Sequence, residues 1–213
     1  MKKTTSVGMF VAIAFAVGMV GINFSEGSLK LQESTPASTM DGGSITGHIE
    51  IIHTDQDGNI RAYMQTDNAI VNEGRNCTAA ALFGANTGCT DTTPGPYNVI
   101  GLGNGTALSG STSQLLLNGE TTGDGLGRAT GTLGTFTNAT ADSAPAVQRI
   151  SNVFTYVGSQ TSNPINQAGL FNTTSGTPST FALKNFPSTV NMNNGDQLTV
   201  NWDITIDGTD AYS

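Results

Sequence analysis

The sequence predicts an all-β protein: an antiparallel two-sheet β-sandwich, jelly-roll-like, with one short helix in its body and an apolar helix at the N-terminus. Three observations predict it. From Gln197 to Asp207 the even positions are apolar (Leu198, Val200, Trp202, Ile204, Ile206) and Thr199, Asn201, Asp203 and Thr205 lie between them, a period of two that gives one dry and one wet face. Ser, Thr, Asn and Gly dominate, charged residues make up only 11%, and the Leu-, Glu- and Lys-rich runs of long helices are missing. Turn residues recur about every dozen positions between short apolar runs, as in packed sheets, and no fixed-period repeat marks a solenoid or propeller. A chain of 213 residues fits one such domain.

The elements follow in order. Lys2 and Lys3 precede an uncharged apolar run at 7–22 and then a polar stretch, the plan of a secretory signal. Sixteen helical residues span about 24 Å, short of a hydrocarbon core of about 30 Å. Cleavage before Ser28, retention of 7–22 as a membrane anchor, and a prepilin-like cut after Gly8 all remain open. No Cys near the run supports a lipoprotein. Residues 28–43, punctuated by Pro36, Gly42 and Gly43, read as a flexible tether, so 1–27 is leader or anchor, 28–43 tether and 44–213 the β-sandwich domain. Strands are expected at 45–54, 60–66 and 69–73, with residues 55–59 as the turn between the first two. Residues 77–83 carry three alanines and no alternation, and are the expected short helix. Further strands are expected at 97–102, 113–117, 128–136, 148–157, 165–171, 180–186, 189–192 and 197–207. Asn193-Asn194-Gly195-Asp196 turns the final hairpin.

Composition bounds function. From Asp41 onward five basic residues (Arg61, Arg75, Arg128, Arg149, Lys184) face fourteen acidic ones, and the net charge is -8. Nucleic-acid binding needs clustered Lys and Arg, and these are scattered; the same holds for a polybasic membrane patch, so any membrane contact runs through the N-terminal segment. Cys77 and Cys89 read as a disulfide suited to an oxidising compartment, a staple worth about 3 kcal/mol for a loop of about thirteen residues.

No constellation announces chemistry, and neither an enzyme nor a cofactor is expected. Asp55-x-Asp57-Gly58 opens like a calcium loop, but Asn59 and Thr66 stand where the fifth and twelfth ligands belong, so Asp55 and Asp57 are a weak metal candidate beside the turn reading. His48 and His53 are five apart and face opposite sides of a strand. Glu50, Glu73 and Glu120 show no spacing that pairs them, and most of them read as solvated. The glycine-rich stretches at 101–105 and 123–127 lack the Gly-Lys-Ser/Thr of a phosphate loop. Five Asn-x-Ser/Thr sequons (Asn23, Asn76, Asn104, Asn138, Asn172) are what so Asn-, Ser- and Thr-rich a chain carries by chance. Trp202 reads as a core anchor, with a sugar-stacking platform as the alternative, and Tyr97, Tyr156, Phe171 and Tyr212 read as sparse loop aromatics.

The order of motifs at 97–104 (YNVIGLGN), 115–120 (LLLNGE), 165–171 and 186–206, behind an opening segment at 57–74, resembles a β-sandwich module of tailed-phage tail and appendage proteins. It is also similar to secreted surface proteins of archaea. The resemblance covers about residues 49–207 and implies the sandwich fold. The residues that match, Gly101, Gly103, Gly169, Gly195 and Trp202, are structural by that resemblance, and no catalytic residue carries over. The export signal separates this chain from virion parts and implies a cell-surface role.

The expected function is therefore that of an exported structural or surface protein, extracellular or at the cell surface. It would be a subunit of a filament, coat or appendage, whose partners are copies of itself or other surface proteins. The alternative is an extracellular module that binds carbohydrate or a receptor.

Overall fold

The computed structural model describes residues 44–84, 95–139 and 144–207. The leader or anchor at 1–27, the tether at 28–43, Cys89, Asn23 and Tyr212 lie outside them. The described chain runs β1 (Ser44–Thr54), β2 (Ile60–Asp67), β3 (Ala69–Ile70), α1 (Asn72–Phe83), β4 (Val99–Gly103), β5 (Ala129–Thr130), β6 (Thr132–Leu133), β7 (Ala146–Thr155), β8 (Asn163–Phe171), β9 (Thr180–Met192) and β10 (Gln197–Asp207). Two five-stranded antiparallel sheets form a β-sandwich, one ordered β2-β1-β10-β7-β6 and the other β3-β9-β8-β4-β5. Pairing is nested, with β1 on β10, β3 on β9 and β4 on β8, so the chain rolls back on itself.

Alternation builds the core. Leu198, Val200 and Trp202 of β10, Ile49 and Ile51 of β1, and Ile150 and Phe154 of β7 point into the sandwich. They meet Ile100 and Leu102 of β4, Ile165 and Leu170 of β8, and Phe181, Val190 and Met192 of β9. Each large side chain buried this way stabilises the fold by roughly 1.5–3 kcal/mol. The other face of the first sheet carries mostly polar side chains, with Ile52 and Val153 among them.

Four elements depart from the sequence expectation. The strand expected at 69–73 stops at Ile70, and α1 starts at Asn72, five positions before the expected 77. The helix start is set by contacts far off in sequence: Glu73 Oε2 accepts the Thr180 amide at 2.9 Å, and the Val71 amide reaches Phe181 O at 3.0 Å. Residues 113–117 form turns, because Gln114 Oε1 takes the Ser109 amide and hydroxyl and Ser111 Oγ takes the Ser113 amide. Residues 128–136 divide into β5 and β6 in different sheets, with Gly131 at the corner donating to Asn98 O. The strands expected at 180–186 and 189–192 are one strand, β9, in which a bulge absorbs Pro187: Ile165 pairs with Val190 while Gln167 pairs with Asn185.

Gly101 and Gly169 face each other across β4 and β8. Their missing side chains make the bed on which the fully buried Phe171 ring lies, and Arg128 covers that ring at 4.9 Å. A Cβ at Gly169 would stand 2.5 Å from Phe171 Cζ and 2.9 Å from Leu183 Cδ2. Gly169→Ala is expected to destabilise the protein by about 1–3 kcal/mol through this overpacking, read as a lower midpoint in urea with an unchanged m-value.

Candidate functional site

The best-organised polar surface is the outward face of the first sheet. Strand register sets Tyr63 of β2 beside Ile52 of β1, and puts Glu50 of β1 between Gln65 of β2 and Asn201 of β10. Ser151 and Arg149 of β7 stand beside Asn201 and Asp203. The side chains close into a ladder across four strands. Tyr63 Oη donates to Glu50 Oε1 at 2.8 Å, and Asn201 Nδ2 donates to Glu50 Oε2 at 2.7 Å. Ser151 Oγ donates to Asn201 Oδ1. Arg149 holds Asp203 by two bonds, at 2.8 and 2.6 Å, and lies 3.8 Å from Glu50. At the near end His48 Nδ1 meets Asp67 Oδ1 at 3.0 Å.

Titration follows the bonding. The Asn201 amide, and after it the Tyr63 hydroxyl, hold the Glu50 carboxyl below its ordinary 4.5. The same Glu50 bond pushes the Tyr63 phenol above its ordinary 10.0. The two-bond contact with Asp203 strengthens the hold of Arg149 on its proton. Glu50, Asn201, Ser151, Arg149 and Asp203 in the row each bond a neighbouring side chain. Chemically the ladder clamps four strands together.

The sequence-selected residues fall elsewhere. Asp55 Oδ1 accepts the amides of Asp57 and Asn59 at 3.0 and 2.8 Å, and Asp55 Oδ2 meets Arg61 at 2.8 Å. Those amide bonds, the Asn59 backbone first, hold the Asp55 carboxyl below its ordinary 3.8, while Asp57 is exposed. The loop is a closed turn, and among the described residues no group of three or more His, Cys, Asp or Glu is placed to hold a metal ion. His53 sits on the inward side of β1, opposite to His48, and its Nε2 lies 3.0 Å from Asp196 Oδ2. Asp196 also accepts the Asn193 amide at 2.8 Å, so this buried pair ties the final hairpin turn, with Gly195 at φ 88°, to the end of β1. Cys77 is buried on α1, and the expected pairing with Cys89 lies outside the described residues.

Two readings need correcting. Glu50, Glu73 and Glu120 are not solvated: Glu50 anchors the ladder, Glu73 is buried, and Glu120 is held by Arg128 Nη2 at 2.7 Å as well as by its Nε. Tyr156 and Phe171 are fully buried rather than on exposed loops, and Tyr97 is half-buried with its ring centroid 5.2 Å from that of Phe181. Trp202 is fully buried, the core anchor it was expected to be, and the alternative of a sugar-stacking platform falls because no ring face is exposed. Sequence reasoning missed Arg149, Ser151, Asn201 and Asp203. Their signal was the wet half of the β10 alternation, but naming their partners requires the register.

A cleft of about 350 Å³ lies beside β3 and β9, walled by Val71, Leu108, Leu183 and Pro187, with Gln114 and Lys184 on its lining. The sheet edges differ in length. Three end in the two-residue strands β3, β5 and β6, whereas β2 offers eight residues and pairs only with β1 among the described residues. Exposed Ile60 and Tyr63 lie along that long edge. Comparisons with known proteins found no matching family model, no matching curated protein and no matching solved structure.

The ladder has a pH signature. Because the Glu50 carboxyl is lowered, the stability it contributes is complete above about pH 4.5 and is lost as pH falls through its folded value. Glu50→Gln is expected to cost about 1–2 kcal/mol at neutral pH and to flatten the acid limb of a stability-against-pH series.

Proposed function

We propose that this chain is an exported structural protein of the cell surface, a subunit of an extracellular filament, coat or appendage. The observation that carries the reading is the contrast between three two-residue edges and the eight-residue β2. A sheet edge is a row of unpaired N–H and C=O groups, and proteins that stay apart shorten or cover it. Here three of the four terminal strands are two residues long and β2 has eight, with an aromatic and an isoleucine exposed along it.

The rest agrees. Lys2, Lys3 and the apolar run at 7–22 are an export signal, and Cys77 with Cys89 supplies a staple that survives outside the cytoplasm. On the outward face of the first sheet Glu50, Arg149 and Asp203 bond one another and their neighbours, which suits a scaffold. The resemblance of the motif order to phage appendage and archaeal surface modules points the same way. One assembly route is strand donation, in which the tether at 28–43 of one copy adds to a sheet edge of the next.

Electron microscopy of the purified full chain tests the reading. Ordered fibres or sheets are expected, whereas dispersed single particles at high protein concentration would overturn it.

A further inference from the structure

We propose that β2 pairs antiparallel with β2 of a second copy about a two-fold axis at Met64, joining two five-stranded sheets into one of ten strands. The inference deepens the assembly reading above and rests on it, adding the partner and the register. Within β2, Ala62, Met64 and Thr66 are half-buried while Arg61, Tyr63, Gln65 and Asp67 are exposed. Ser188 Oγ, on β9 of the opposite sheet, reaches Met64 Sδ at 3.1 Å, which marks the inward side.

A two-fold axis perpendicular to a continuous sheet keeps outward residues outward, so it must pass through a residue rather than between two. That leaves few registers. An axis at Tyr63 sets Arg61 against Gln65 of the second copy, and one at Gln65 sets it against Ala69. Only an axis at Met64 sets Arg61 against Asp67, and symmetry makes that pair twice. The same register matches Tyr63 with Gln65 on the outward face and Ala62 with Thr66 on the inward face. Opposite charges facing each other across strands are favourable, and like charges there are not.

Both charged groups have capacity to spare. The Arg61 side chain is 62% exposed, and its contact with Asp55 uses one edge of a guanidinium that carries five donors. The Asp67 side chain is 92% exposed and meets His48 through Oδ1, which leaves Oδ2 facing water. Pairing would join a chain of polar contacts at each end: Asp55, Arg61, Asp67 of the second copy, His48 of the second copy. The bulge between His53 and Thr54 falls at the Arg61 end and leaves 62–67 regular. A second copy suits this edge better than the chain's own tether. Residues 28–43 alternate only around Leu29 and Leu31 and are interrupted by Pro36, which has no amide to donate.

The test uses charge reversal in the full chain, kept in mild detergent because of residues 7–22 and weighed by native mass spectrometry. Wild type should form dimers. Arg61→Asp alone and Asp67→Arg alone each set like charges face to face, and each should weaken the dimer at least about tenfold. Mixed together, the two variants restore both opposite-charge contacts, so the heterodimer should return to wild-type strength. Met64→Cys provides a second measurement that leaves the charges alone: on mild oxidation it should cross-link to itself. Tyr63→Cys and Gln65→Cys should cross-link to each other on mixing but not each to itself.

A monomeric wild type, a single variant that dimerises normally, or a mixture that fails to recover would overturn the inference. Loss of the wild-type dimer on deleting 28–43 would overturn it too, by making the tether the occupant. Ordered fibres from the single variants would sink this register while sparing the assembly reading. Wild-type dimers that never assemble further would do the reverse.

Discussion

The structure depends on β10 lying between two long partners with its apolar residues on one side. It pairs with β1 over eleven positions and with β7 over ten, and Leu198, Val200 and Trp202 are each fully buried. Slipping either register by one residue would turn all three toward water, so the hydrophobic term fixes the pairing. The outward face then follows without further choice. Asn201 and Asp203 point away from the core because Val200 and Trp202 point into it. Glu50, Arg149, Ser151 and Tyr63 meet them because β1, β7 and β2 are held in the same register. The polar ladder is thus the outer consequence of the apolar interlayer.

What could be read from the residues alone divides along the same line. Wherever one face is dry and the other wet, alternation located the strand closely, as for β1, β2 and β10. It failed where residues far off in the chain decide the outcome. Asn72 to Asn76 have no helical pattern, yet α1 begins there because Glu73 caps the Thr180 amide from inside the fold. Pro187 reads as a break between two strands, but a bulge in β9 carries the chain past it. Leu115 to Leu117 look like a strand, yet Ser and Gln side chains bond the local backbone first. The ladder was illegible for a related reason. Glu50 and Asn201 are 151 residues apart, and nothing local signals that register makes them neighbours.

The glycines show packing and chemistry separating in one motif. Gly101 opens the glycine-rich stretch at 101–105, and Gly169 is a lone glycine in the expected strand at 165–171. In place they are opposite members of a strand pair whose empty positions seat Phe171, under an Arg128 already held by Glu120. The same economy of charge recurs across the body, where Arg61, Arg128 and Arg149 each pair with a carboxylate. Satisfied side chains of this kind stiffen a surface. Along β2 the main-chain groups that point away from β1 have no partner strand among the described residues.

Hydrogen exchange along β2, followed as protein concentration rises, tests the central claim most directly. Amides of Ile60–Asp67 that point away from β1 should exchange freely in dilute protein and become protected as copies associate, while β10 stays protected throughout. Exchange at that edge that is the same at every concentration, beside protection gained on another surface, would contradict it.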